Sequence, residues 1–465
     1  MAKQGWTVRG RVLVRHELQE LTDTYGAISP LTGMRVRVQA RERIAGTWGS
    51  WKSWGQVMVQ EEDGSFEISK VKSANNRRFR VQVQFKNADL VIFGANRSLI
   101  RQASRLLRLT VVTTLLKEVL LDQILQHFTR LPYQSPWHTI HVDRMRQGRE
   151  HGMIELPTMT FQRTAAEDLG DEIARRHADL WFLYNRVREL FDDIGPDYGF
   201  KKRIAVKYPH DNPLIGNGIE VSYASPENYL IYMVRNRDTD DYQMGYLLHE
   251  LMHIWAYQHS RREKGLAWQL IVHRDTHDLQ ERTWVAFHEG FAEYAYHQVY
   301  RRLFGKNPRY DVAGSPPPEI EPVPLSRNRL TSSVYNIVTL DDMEHHDWGW
   351  VSTFNLLTTP EIIRYTFNRP PFTDYHVQIR YRRRVNMICD DPTMGFGDVL
   401  RLFLTDNSAG LAKQLRRSEM NFERFFTRAV AVVPQFDAAA RDAFLRLLDP
   451  ADTAEPRDLL CREAE

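Results

Sequence analysis

Cysteine is nearly absent: only Cys389 and Cys461 occur in 465 residues. Two thiols cannot build a disulfide framework or a four-cysteine metal site, and their scarcity suits a reducing compartment. A surplus of one charge is missing as well. Lys and Arg total 62 against 59 Asp and Glu, and a formal net charge of +3 gives no global reason to expect nucleic acid as a partner. The local run Arg380, Arg382, Arg383 and Arg384 reads as a solvated face. Long uncharged apolar runs are lacking too. The greasiest stretch, Leu99 to Leu125, is interrupted by Arg101, Arg105, Arg108 and Lys117, so no membrane span is expected. The first residues, Met-Ala-Lys-Gln-Gly-Trp, open onto strand-like sequence without the apolar core and cleavage site of a secretory leader. The expectation is a soluble, cytoplasmic protein without a membrane partner, with non-classical secretion left open. No internal repeat or low-complexity tract is evident.

What is present is an ordinary globular composition, 42% apolar and 26% charged, in a chain long enough for two or three domains. Residues 34 to 40 alternate Met34, Val36, Val38 and Ala40 with Arg35, Arg37 and Gln39. Residues 79 to 85 alternate Phe79, Val81, Val83 and Phe85 with Arg80, Gln82 and Gln84. A period of two means strands with one buried face. Asp63-Gly64 between Val57–Val59 and Phe66–Ile68 is a hairpin signal. Residues 1–97 therefore predict a β-sandwich accessory domain. Residues 98–160 form a connecting segment with a helix around 114–128. Thr164-Ala-Ala-Glu167 has the form of a capping box. It opens a helix carrying Ile173, Leu180, Tyr184, Val187, Phe191 and Ile194, which Gly195-Pro196 ends. Strand-like runs follow at Ile204–Tyr208 and Tyr229–Val234, and Asp240 and Asp241 begin the next helix, where negative charge suits the helix dipole. A proline-rich loop, Pro316-Pro317-Pro318 to Pro324, leads into a mainly helical C-terminal region, 311–465, with helical patterns at 398–404, 409–432 and 437–448.

The chemistry is concentrated in His249-Glu250-Leu251-Met252-His253. Residues four apart share one helix face, so the two imidazoles can reach one metal ion, and Glu250 beside them can deprotonate a water. The flanks Tyr246, Leu247, Leu248 and Trp255 make this helix a buried one, so its polar residues need partners. A second helix reads Trp284-Val-Ala-Phe-His288-Glu289-Gly290-Phe291-Ala292-Glu293-Tyr294. Glu289 offers a carboxylate as third ligand, and Glu293, four residues on, can hold a ligand histidine in its tautomer. A rival pattern takes His259 as third ligand. It wants a glycine where this chain has Ala256, a good helix former, and a continued helix carries His259 about 9 Å along the axis from His253. His273, His277 and His288 are further histidines nearby.

His249-Glu-Leu-Met-His-Ile-Trp255 followed by His288-Glu-Gly-Phe-Ala-Glu-Tyr294 resembles the gluzincin metallopeptidases, in particular their aminopeptidase-like branch. The resemblance implies a multidomain α+β protein with a thermolysin-like zinc peptidase core over 161–310. It implies a Zn2+ cofactor on His249, His253 and Glu289, Glu250 as general base, and Glu293 behind the ligands. The order Gly10-Arg-Val, Pro30-Leu-Thr-Gly33 and Asp63-Gly-Ser-Phe66 resembles transthyretin-like or carboxypeptidase-regulatory-like modules, which implies a scaffold that recruits a docking partner. The chain departs from the aminopeptidases in lacking their Gly-Ala-Met-Glu-Asn strand; Gly216-Asn-Gly-Ile-Glu220 is a loose echo. The expected activity is therefore endopeptidase cleavage of a protein or peptide substrate, with aminopeptidase action anchored by Glu220 or Glu227, or an inactive binding module, as alternatives. A strand near Tyr229–Val234 is a place for an extended substrate to pair. Candidates for stabilising the oxyanion are Tyr335, His345, His346 and Tyr365.

Overall fold

The structure is a computed structural model that describes residues 6–16, 19–44, 46–71, 77–94, 135–144, 153–162, 169–209, 222–226, 229–233, 240–260, 283–306, 344, 350, 353–354, 357–358, 364–369, 372–380, 394–404 and 421–448. It is a mixed α+β protein of two compact units. One comprises Met1–Val187, Lys202–Ser222 and Leu230–Asp240; the other comprises Arg188–Lys201, Tyr223–Tyr229 and Asp241–Glu465.

The first unit is built on two five-stranded sheets. In one, β1 (Trp6–Arg15) pairs antiparallel with β2 (Ile28–Pro30) and β6 (Ser65–Val71), and in parallel with β10 (Met153–Glu155) and β11 (Met159–Phe161). In the other, β3 (Arg35–Ile44) pairs antiparallel with β4 (Thr47–Trp48), β5 (Lys52–Met58) and β7 (Arg77–Gln84), and β7 pairs with β9 (His138–Arg144). The alternating pattern sets which face is inside. Val36, Val38, Val81 and Val83 are fully buried, while Arg35, Arg37, Arg78 and Arg80 on the opposite face are partly exposed. The inner faces meet at Phe85 and Phe161, whose rings are 5.5 Å apart. They also meet at Gly55, where a Cβ would lie 2.5 Å from Ile68, so the approach of β5 to β6 requires glycine. A parallel sheet of β8 (Leu90–Phe93), β12 (Ile204–Lys207) and β14 (Leu230–Tyr232) completes the unit.

The helix Leu169–Ile194 ties into this core through Trp181, whose indole N–H donates to the Thr32 carbonyl at 2.7 Å. His177 on the same helix sits between His138 and the Tyr208 carbonyl, at 3.0 and 2.8 Å. A carbonyl only accepts, so His177 carries its proton on Nε2, and its Nδ1 must accept from His138 Nε2–H. Burial, with the neighbouring His177 charge, holds His138 down to about 3. Burial holds His177 down to about 4 against the opposing Tyr208 bond.

Several sequence expectations are corrected here. Asp63-Gly64 does not close a hairpin, because β5 pairs with β3 and β6 with β1. The turn is local: Asp63 accepts from the Ser65 N–H at 2.9 Å, and Gly64 has φ +76°. The Gly64 carbonyl then takes the Val12 N–H, which passes the chain from one sheet to the other. The segment expected only to connect supplies β9, β10 and β11; three short strands leave little alternation to read. Strand β14, expected to receive a substrate, is buried along Leu230, Ile231 and Tyr232. Beside the helices Phe396–Arg401, Phe422–Val432 and Ala438–Leu448, the C-terminal region holds an element not expected there, an antiparallel hairpin of β15 (Arg364–Arg369) and β16 (Phe372–Arg380). The 114–128 helix, the Thr164–Glu167 capping box and the Pro316–Pro324 loop lie outside the described residues.

The second unit contains the helices Asp241 onward within Asp240–Ser260, then Thr283–Phe304, Phe396–Arg401, Phe422–Val432 and Ala438–Leu448. Its strand β13 is Tyr223–Ser225. An aromatic core holds them: Phe291 and Phe403 have ring centroids 4.1 Å apart, and Trp350 and Phe422 4.4 Å. Among the described residues no helix is long and apolar enough to cross a membrane.

Candidate metal centre

The motif helix, Asp240–Ser260, is apolar around most of its circumference: Leu247, Leu248, Leu251, Met252, Ile254 and Trp255 are fully buried. The facing helix, Thr283–Phe304, buries Phe287, Phe291, Tyr294 and Ala295 as completely. Close approach of the two is set at Gly245, where a Cβ would stand 2.9 Å from the Tyr296 hydroxyl. The C-terminal end of the motif helix is pinned to residues 198–201. Trp255 donates to the Tyr198 carbonyl at 2.6 Å, His259 to the Gly199 carbonyl at 3.0 Å, and Gln258 accepts from Lys201 N–H at 2.6 Å. His259 is thus spent on backbone and stacked on Trp255 at 4.4 Å. The helix continues through Ala256 to Ser260, so the pattern with His259 as third ligand does not form.

Three polar atoms instead converge across the helix pair. His253 Nε2 lies 3.1 Å from His249 Nε2 and 3.2 Å from Glu289 Oε2, and His249 Nε2 lies 3.4 Å from the same oxygen. A tetrahedral cation with bonds of about 2.0–2.1 Å holds its ligand atoms about 3.3–3.4 Å apart, so this triangle is the right size for one. His249, His253 and Glu289 form the group that could hold a metal ion among the described residues. Three ligands on one side leave a fourth position for water or substrate.

Behind the triangle, Glu293 Oε2 lies 2.9 Å from His249 Nδ1, and its Oε1 lies 3.1 Å from His297 Nε2. A carboxylate accepts, so His249 carries a proton on Nδ1 and turns Nε2 toward Glu289 and His253. Glu293 is thereby held from both sides, by His249 and by the buried His297. His297 belongs to a series the sequence does carry: Glu289, Glu293 and His297 recur every four residues along one helix face.

Glu250 is 6% exposed and accepts a hydrogen bond from the backbone of Ala224, in β13. Burial pushes its carboxyl up to about 7, against the lowering pull of His249 and His253. Burial works to lower the His249 pKa, yet the bonds to Glu289 and Glu293 and the charges of Glu293 and Glu250 raise it well above the ordinary histidine value. Glu289 and Glu293 are displaced the other way. Burial raises both, but the histidine contacts outweigh it, taking Glu289 well below the carboxylate range and Glu293 to about 2. The cluster thus draws positive charge to the point between Glu289 and the two Nε2 atoms, the place a cation would take.

Of the remaining sequence candidates, Tyr335, His345 and His346 lie outside the described residues, as do Glu220, Glu227, His273 and His277. Tyr365 is placed only by its backbone, in β15 opposite Ile379. His288 is buried at Phe287, 5.4 Å between rings, and is not one of the three converging residues. Comparison of the chain with protein-family models and with curated proteins finds no match.

Proposed function

We propose that the chain is a zinc-dependent peptidase that hydrolyses peptide bonds within a protein substrate. The observation that carries this reading is the triangle of His249 Nε2, His253 Nε2 and Glu289 Oε2, with edges of 3.1 to 3.4 Å, beside a buried glutamate. Two neutral imidazoles and one carboxylate are a zinc donor set that keeps an open position, as in hydrolytic zinc sites. When bound there, zinc supplies Lewis acidity toward a carbonyl oxygen and lowers the pKa of water.

The chain's own groups provide the rest. Glu250 feels the charges of His249, His253 and Glu289, which sets its carboxylate near the proposed metal position, and it takes the proton of the attacking water. The C–N bond breaks as that proton passes from Glu250 to the leaving amine, and carboxylate is restored. The Ala224 N–H holds the Glu250 carboxylate in place. Glu293 keeps His249 in the tautomer that presents Nε2.

Glu250→Gln tests the reading. The amide keeps the shape and one acceptor but cannot take a proton at neutral pH. Zinc content and folding stay at wild-type level, and turnover of a peptide mixture falls at least about a hundredfold. A Glu250→Gln protein that binds zinc and hydrolyses peptides at the wild-type rate removes the catalytic assignment. If neither wild type nor variant cleaves a partner that both bind, the chain is a binding module.

A further inference from the structure

The outer face of the β3–β7 sheet carries an unusual arrangement of cations. The Arg41 guanidinium lies over Trp48 at 5.3 Å and over Trp51 at 4.6 Å. Arg78 lies over Trp48 at 4.8 Å, and Arg80 over Trp51 at 4.5 Å. The order Arg78, Trp48, Arg41, Trp51, Arg80 is a continuous cation–π ladder, and Arg37 over Trp137 at 3.9 Å extends the same face.

Buried amides aim two of these guanidiniums. Gln39 accepts from Arg80 Nε and Nη2 at 2.9 and 2.6 Å, and Gln82 accepts from Arg37 Nε at 2.9 Å. Arg41, at the centre, makes no hydrogen bond to any described residue, and its buried Nε has no partner. Among the described residues no carboxylate pairs with Arg37, Arg41 or Arg80. Their charges oppose one another instead, Arg80 acting on Arg37 and Arg41 on Arg80. A face that served only to brace the sheet would gain from a carboxylate between these groups.

The register gives the cations a spacing. Arg37 stands at one level of β3, Arg80 pairs opposite Gln39 two residues on, and Arg41 and Arg78 pair with each other two residues further. The arginines therefore spring from backbone levels two residues apart, a rise of about 6.6–6.8 Å along the strands from one level to the next. An extended polypeptide with an acidic residue at alternate positions repeats its carboxylates at that interval, and the planar fork of arginine matches a carboxylate. The indoles argue against a stacked base, since Trp48 and Trp51 each already carry two guanidiniums.

We propose that this arginine–tryptophan face of the first unit docks an extended acidic segment of a partner protein, with Asp or Glu at alternate positions. The docking stands independently of the peptidase reading, and it is measured by binding, not turnover.

The test uses the full chain and a fluorescein-labelled peptide of alternating glutamate and serine, about twelve residues long, read by fluorescence anisotropy. The alternating peptide binds and is released as salt rises; a peptide of the same composition with its glutamates in one block binds more weakly. Arg41→Gln and Arg37→Gln each weaken binding at least about tenfold, the scale of one lost charge-assisted contact, and Arg41→Lys restores only part of it. Thermal melts report whether each variant is folded, and Arg37, at the end of the face, supplies the test should Arg41→Gln fail to fold. The proposal is overturned if the alternating peptide does not bind, if folded Arg37→Gln binds it as wild type does, or if single-stranded oligothymidylate binds tighter and displaces it. Binding that survives in Glu250→Gln, with or without zinc, keeps this result separate from the fate of the peptidase reading.

Discussion

Replacing Glu293 by glutamine isolates what this carboxylate does for the proposed metal site. In the native arrangement two histidine N–H groups point at it, His249 Nδ1 at 2.9 Å from Oε2 and His297 Nε2 at 3.1 Å from Oε1. A glutamine has one acceptor oxygen and one NH2 donor where the carboxylate has two acceptors. Whichever way the amide turns, the histidine that meets its NH2 must give up the proton on that nitrogen and change tautomer, or lose the bond. With the oxygen on His249, the bond survives but becomes neutral, at roughly half the strength of the charge-assisted one. With the oxygen on His297, His249 loses its acceptor and is no longer fixed in the tautomer that presents Nε2. Losing such a partner behind a ligand costs about 10- to 100-fold in metal affinity, or about 1.4–2.7 kcal/mol. Competition with a fluorescent zinc chelator at neutral pH measures this directly on the full chain, with circular dichroism as the check on folding. A folded Glu293→Gln protein whose zinc Kd stays within about twofold of wild type refutes the orienting role. A loss far beyond about 100-fold refutes it from the other side, because Glu293 would then be a ligand itself.

Glu289→Ala should abolish tight zinc binding while His259→Ala leaves it intact, and metal analysis after gel filtration that gives the reverse would restore His259 as a ligand. Zinc binding at neutral pH should release on the order of one proton, since His249 is held above its ordinary pKa in the metal-free protein and a ligand nitrogen must be deprotonated. Calorimetry in buffers of different ionisation enthalpy counts the proton, and no buffer dependence would contradict the electrostatics of the cluster. The pair of half-buried His138 and fully buried His177 makes the fold acid-sensitive. Both pKa values are depressed in the folded state, so the unfolded chain takes up protons first and stability falls as pH drops from about 6.5 toward about 3. For His177 alone that is up to about 3 kcal/mol. Urea melts across this range should show a smaller acid loss in His138→Phe, and equal losses in the two proteins would rule the pair out as the cause.

Strands and helices whose side chains repeat at the period of their element are legible along the chain without reference to any partner. Residues 34–40 and 79–85 alternate because one face of β3 and of β7 is buried, and the alternation is visible without a partner strand. His249, Glu250 and His253 were legible for the same kind of reason: a helix places residues four apart on one face, so spacing alone states that the two imidazoles share a side. The end of the long helix at Ile194 was equally local, written in Gly195-Pro196.

Tertiary structure decided whatever depends on which elements meet. The sequence offered both Glu289 and His259 as third ligand. Only the pairing of two helices separated by many residues brings Glu289 Oε2 to 3.2 Å from His253, while the 198–201 backbone claims His259. The Asp63-Gly64 turn looked like a hairpin because a turn signal records only that the chain reverses, not which strand receives it; the receiving strands lie in different sheets. The positions of β9, β10 and β11 were hidden for a related reason, since short strands gain their stability from cross-strand neighbours far away in the chain. The arginine–tryptophan ladder is the clearest case. Arg41, Arg80, Trp48 and Trp51 are ordinary residues of separate strands and turns in the sequence, and only the sheet register stacks them into one face. Local chemistry is fixed by distance along the chain, whereas ligand triangles and ladders are fixed by distance across it, and only folding relates the two.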